Sequence, residues 1–181
     1  MHHGFVCALL NDLFGIQARS GCSCAAPYGH KLLDIDKGSA EALEAILTDQ
    51  HRPVPQGIRP GWCRISFGYY DSQEQVDYII EAVRIIACDG WRALVDYIHD
   101  PRTGTWCHRG AAKATAELGP SWAPPGPPLA PGLPLDAYLA EAKTVLGGCA
   151  DRCRCEPPAP TEAPEQYDEM RWFWTPEEIA A

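Results

Sequence analysis

Apolar positions recur at helical spacing in the first stretch of the chain. Val6, Leu9, Leu10 and Leu13 form one stripe between Phe5 and Phe14, with Asn11 and Asp12 on the opposite face. Gly15 follows, suited to end a helix in the left-handed conformation. Ile16 to Arg19 reads as short and extended, and Ser20-Gly21 turns the chain. Tyr28 to Asp34 reads as a short helical segment. Lys37 to Asp49 is a helix with Ala42, Leu43, Ile46 and Leu47 inward and Ser39 as its cap. His51 to Pro60 is a proline-held connection.

Trp62 to Tyr69 alternates and predicts a strand, with Cys63, Ile65, Phe67 and Tyr69 toward the core. A capping-box-like start at Asp71-Ser72-Gln73-Glu74-Gln75 opens a helix whose inner face holds Val76, Ile79, Ile80, Val83, Ile86 and Ala87. Leu94 to Ile98 either extends that helix or forms a short appended segment before Pro101. Helices alternating with short extended pieces predict an α+β fold, a small sheet covered by helices.

The pattern then breaks. Seven prolines between Pro120 and Pro134 exclude helix and central strand. Leu135 to Leu146 predicts a helix with Leu139 and Ala142 to Val145 on one side. From Asp151 to Ala181 eight acidic residues face three arginines, interrupted by Trp172-Phe173-Trp174. The expected organisation is a domain over 1–108, a Pro-rich linker over 109–134, an isolated helix over 135–148, and an acidic disordered tail over 149–181. The aromatic triplet suits docking either on a partner or back on the domain.

Composition narrows the function. A net charge of −9 and a pI near 5.0 argue against nucleic acid and against anionic membrane surfaces. No run reaches the roughly 18 apolar residues of a transmembrane span. The start of the chain lacks a basic segment and a small-residue cleavage site, as expected of a protein without a secretory signal. The nine cysteines are odd in number and irregularly spaced, which reads as reduced thiols in a cytoplasmic protein. Cys7, Cys63 and Cys88 lie inside apolar patterns and read as core residues.

Candidate chemistry concentrates in Phe14 to His30, which holds Arg19, Cys22, Cys24, His30 and three glycines. A guanidinium grips a carboxylate through two parallel hydrogen bonds, and the turn after Arg19 lets it face a cleft. The bland reading pairs Arg19 with Asp12 or Asp34. For Cys24 the chemical requirement is a reactive thiolate, favoured by a nearby cation or a helix N-terminus. Cys22 lies two residues away, and a Cys-x-Cys pair suits persulfide resolution or metal binding. The reading that both are loop thiols without a reaction stands beside it.

Arg19, Gly21, Cys24, Ala25 and Pro27 resemble the C-terminal-domain loop of class V aminotransferase-fold enzymes, which use pyridoxal phosphate (PLP) and include the cysteine desulfurases. The longer run from Phe14 to His30 is closest to a desulfurase-like branch, and Gly61 to Phe67 also fits the family's small domain. The resemblance covers roughly residues 2 to 108. It implies the small domain of a PLP fold-type I enzyme, an α/β-type unit. It implies that Arg19 binds the substrate α-carboxylate, that Cys24 takes up sulfur as a persulfide with Cys22 as an extra thiol, and that His30 orients substrate or holds a turn. It also implies an amino-acid substrate and a homodimer in the complete enzyme. His2-His3 resembles the family's histidine pair before the same helix and suits helix entry.

The family's PLP lysine lies in a large domain that precedes this segment. The four lysines here, Lys31, Lys37, Lys113 and Lys143, lack the Ser-x-His-Lys-like context. The expectation is therefore a C-terminal fragment of a PLP-dependent transferase or lyase, inactive alone. The alternatives are a stand-alone non-catalytic interaction module and a thiol-based sulfur or metal carrier. Cys149, Cys153 and Cys155 lack a nearby fourth ligand for structural zinc.

Overall fold

The computed structural model describes residues 1–21, 26–48, 56–110, 133–152 and 171–180. Helix α1 (His3–Phe14) opens the chain. Its first turn is capped by the His2 side chain, which accepts from the Gly4 amide, and Gly15 ends it with φ of 64°. Phe5, Leu9, Leu10 and Phe14 are buried, so the core-facing stripe is the expected one turned slightly, with Val6 and Leu13 at its margin.

Helices α2 (Ala26–Leu32) and α3 (Lys37–Leu47) form a satellite layer. Of α3 only Leu43 is buried, and the expected inner residue Ala42 faces solvent. The cap also differs from expectation. Asp36 accepts from the Ser39 amide and hydroxyl at 3.0 and 2.8 Å, so Ser39 is the capped residue. A carboxylate three residues earlier serves two donors, where the serine hydroxyl serves one.

Helix α4 (Gln73–Asp89) begins with a complete capping box between Ser72 and Gln75. It buries Tyr78, Ala82, Ile85 and Ile86. The predicted face holds only in part: Ile86 is inside, while Ile80 and Val83 are exposed. Tyr78 decides the rotation, because its hydroxyl donates to the Phe14 carbonyl at 2.8 Å and draws its side of the helix against α1.

A 3-10 helix (Gly90–Asp96) leads into an antiparallel hairpin of β1 (Tyr97–Asp100) and β2 (Thr105–His108). Tyr97 pairs with His108 and Asp100 with Thr105. Asp100 builds the turn by accepting from the Arg102 amide and the Thr103 hydroxyl. This hairpin is the sheet of the α+β fold among the described residues. The expected strand over Trp62–Tyr69 is a single bridge at Arg64. Cys63 and Ile65 pack on the core as expected, but Phe67 and Tyr69 are exposed, because the chain turns at Gly68, whose amide donates to Asp71.

Helix α5 (Leu135–Arg152) is longer than predicted and is not isolated. Ala142, Leu146 and Cys149 are buried, and the helix packs on α4, α1 and the 3-10 helix. Residues 171–180 also belong to the domain: Phe173 is buried in the core and α6 (Pro176–Ala180) packs on the 3-10 helix and β1. The aromatic triplet thus docks back. Apolar burial of Phe173 outweighs the acidic composition around it. The Pro-rich stretch beyond residue 110, with Cys153 and Cys155, lies outside the described residues. No described helix is long and apolar enough to cross a membrane.

Candidate functional site

Two extended segments meet beside α1. The Arg19 amide donates to the Arg64 carbonyl at 3.0 Å, and the Arg64 amide donates to the Arg19 carbonyl at 2.7 Å. A pair that exchanges both bonds places its two side chains on the same face, with Cα atoms about 5.5 Å apart. The approach depends on glycine. A Cβ on Gly61 would sit 2.6 Å from the Gly21 carbonyl carbon and 2.8 Å from His3 Nε2. Gly21 itself has φ of 107°.

Both arginines line an open cleft of about 1030 Å³, with Cys7, Asp12, Ser20 and His108 among its walls. Arg19 and Arg64 form no ion pair with a described carboxylate. Asp12 is engaged elsewhere: Oδ2 accepts from the Tyr97 hydroxyl at 2.7 Å and Oδ1 from Asn11 at 2.9 Å. The Tyr97 hydroxyl is pushed up by burial first and by that bond to Asp12. Two guanidinium groups on one face, without a described carboxylate partner, have the chemistry to receive an anion such as a carboxylate.

The other sequence candidates fall apart from this pair. Cys22 and Cys24 lie outside the described residues. His30 lines a different, smaller cleft of about 300 Å³ between α2, α3 and the 59–62 segment, with Leu43, Arg59 and Trp62. The structure therefore does not bring His30 to Arg19. Of the lysines, Lys37 pairs with Glu41 on the exposed face of α3, and Lys143 pairs with Glu81. Lys31 is exposed at the end of α2, and Lys113 lies outside the described residues. No described lysine faces the arginine cleft, so the described residues do not fit a PLP Schiff-base site.

His2 and His3 hold the entry to α1. His2 Nδ1 accepts from the Gly4 amide at 3.0 Å and from the Trp106 indole N–H at 2.9 Å. Nδ1 is therefore unprotonated, and Nε2–H donates to the Gly57 carbonyl at 3.0 Å. Burial first, then the neighbouring His3 and His99, push its pKa down to about 3. His3 Nε2 donates to the Arg59 carbonyl at 3.2 Å. Among the described residues no three metal-ligating side chains cluster.

Sequence reasoning missed two features of this region. Arg64 sits on the polar alternate of the predicted strand, and only its pairing with Arg19 gives it meaning. Cys7 and Cys63, both read as core thiols, are partly buried at the core's edge and stand 3.3 Å apart, Cys7 Sγ–H donating to Cys63 Sγ, an approach the sequence did not show. Cys88 is exposed, contrary to the core reading, because it lies on the outward face of α4. Comparison of the chain with protein-family models, with curated proteins and with solved structures found no match.

Proposed function

We propose that the chain carries the substrate-carboxylate site of a class V aminotransferase-fold, cysteine desulfurase-like PLP enzyme, and that it is inactive alone. The observation that supports this reading is the Arg19–Arg64 pair, side by side in an open cleft and without a described carboxylate partner. The α-carboxylate of an amino acid is one ligand that such a fork can hold. Arg19 is the residue that the loop resemblance assigns to this role, and the sulfur-handling role proposed for Cys24 and Cys22 rests on that resemblance. The Schiff-base lysine would come from a large domain, and in the complete enzyme the unit would work as a homodimer.

Titration calorimetry with cysteine and alanine tests the site. Weak binding is expected, weakened at least about tenfold by Arg19→Ala and by Arg64→Ala, since each removes a charge-assisted contact worth roughly 1.5–3 kcal/mol. Binding that both variants retain would overturn the reading. An absorption band of an internal aldimine on adding PLP to this chain would overturn the claim of inactivity.

A second reading, a non-catalytic interaction module, draws on the exposed aromatic residues Phe67, Tyr69 and Tyr70 beside the same segment. It predicts an unchanged domain that binds no amino acid.

A further inference from the structure

We propose that Cys7 and Cys63 form a thiol–disulfide exchange site that reacts with small carboxylate-bearing disulfides and closes into an internal disulfide. The inference stands without the PLP reading, because it needs only the dithiol and the two arginines. The two sulfurs are 3.3 Å apart, joined by a hydrogen bond, and both residues are partly buried. Cys7 lines the arginine cleft from α1, with Ser20 also on its wall. Cys63 immediately precedes Arg64, on the strip that bridges to Arg19. Of the other described cysteines, Cys149 is buried with its thiol against Asp96, and Cys88 and Cys107 have no described thiol partner.

The pair is asymmetric. The proton shared between the sulfurs stays on Cys7, whose thiol is pushed up by its bond to Cys63 and by burial. Cys63 is pushed below the ordinary thiol value by receiving that bond. Because Cys63 accepts the bond that Cys7 donates, we assign Cys63 as the attacking sulfur and Cys7 as the resolving one. In the first step the Cys63 thiolate attacks one sulfur of R–S–S–R, forming Cys63–S–S–R and expelling RS⁻. In the second step Cys7 gives its proton to solvent or to RS⁻, and its thiolate attacks Cys63 Sγ. The Cys7–Cys63 bond forms and the second RS⁻ leaves. The dithiol loses two electrons and two protons, and the disulfide gains them as two thiols. Arg19 and Arg64 line the cleft that Cys7 lines, without a described counter-ion, so they favour a disulfide that carries carboxylates over one that carries amines.

The test uses the full chain, reduced and then exposed to glutathione disulfide or to cystamine, a diamine disulfide, with peptide mapping under non-reducing conditions. The expected first internal product links the Cys7 and Cys63 peptides. Glutathione disulfide should react faster than cystamine at low salt, and Arg64→Ala should reduce that preference by roughly threefold or more. Cys7→Ser should stop the reaction at a mixed disulfide on Cys63, and Cys63→Ser should slow capture by roughly tenfold. Mapping of the unsubstituted chain reads the proposal even if a variant fails to fold. A different cysteine pair linking first, or no Cys7–Cys63 peptide at any exposure, would overturn the exchange site. Equal rates for the two disulfides would overturn the carboxylate preference.

Discussion

The indole N–H of Trp106 on β2 donates to Nδ1 of His2 at 2.9 Å, joining the hairpin to the residue that caps α1 across 104 positions of sequence. His2 is 2% exposed, and its other nitrogen donates to Gly57. Every hydrogen-bonding atom of the imidazole is used in its neutral form. Protonating Nδ1 would set N–H against two donors.

Acid sensitivity follows from that relationship. An unfolded histidine titrates near 6.5, whereas His2 is held down to about 3 and His99 to about 4, both chiefly by burial. The unfolded chain therefore binds more protons between these values. Stability is fully present above pH 6.5 and falls as pH drops from 6.5 toward 3. Each unit of difference is worth about 1.4 kcal/mol, so the loss by pH 4 amounts to a few kcal/mol. Thermal melts at pH 7.5 and 4.5 check this. His2→Gln should lower stability at neutral pH and flatten the dependence; a slope unchanged by the substitution would count against His2 as its source.

The C-terminal segment is a structural part of the domain. Phe173 is 4% exposed and packs edge-on against His2 and His99, with ring centroids 4.5 and 5.3 Å away. Trp172 Nε1 donates to the Ile58 carbonyl at 3.3 Å. Phe173→Ala should destabilise the protein by about 3–5 kcal/mol, as for other buried phenylalanines. Urea unfolding measures it. A change within about 0.5 kcal/mol would mean that the segment lies outside the cooperative unit.

Local periodicity carried the parts of the fold that depend on one helix at a time. Gly15 ends α1 and Ser72 with Gln75 starts α4 as their residue types dictate, because those interactions span a few positions. What was not legible depends on distant partners. The buried face of α4 was set by the bond from Tyr78 to Phe14, 64 residues away. The hairpin was missed because β1 and β2 are four residues each and lack a strong turn dipeptide. Arg19 was legible as a candidate from its loop, whereas Arg64 gains its place from a bridge between chain segments 45 residues apart in number. The Cys7–Cys63 approach spans 56 positions and has no local signature.

Gly61 is the hinge on which the arginine pair depends. A methyl there would meet backbone of Gly21 at 2.6 Å, a contact that no side-chain rotation relieves. Gly61→Ala should push the 19–21 strip off the 61–64 strip, at a cost of about 1–3 kcal/mol. Amide exchange at Arg19 and Arg64 should accelerate, since each donates across the bridge. Retained protection at both amides would show that the strips adjust without separating.

Closing Cys7 to Cys63 should stabilise the whole domain. The bond would join α1 to the 61–65 strip and close a loop with a separation of 56 residues. A loop of that size removes unfolded-state freedom worth about 4 kcal/mol, less any strain in drawing the sulfurs together. The oxidised protein should therefore melt several degrees higher than the reduced one, and dithiothreitol should reverse the gain. The same oxidant on Cys7→Ser should produce no gain, which separates the cross-link from modification of the other thiols. A lower melting temperature on closing the bond would mean that the strain outweighs the loop entropy, and that the two strips are held apart by packing rather than poised to join.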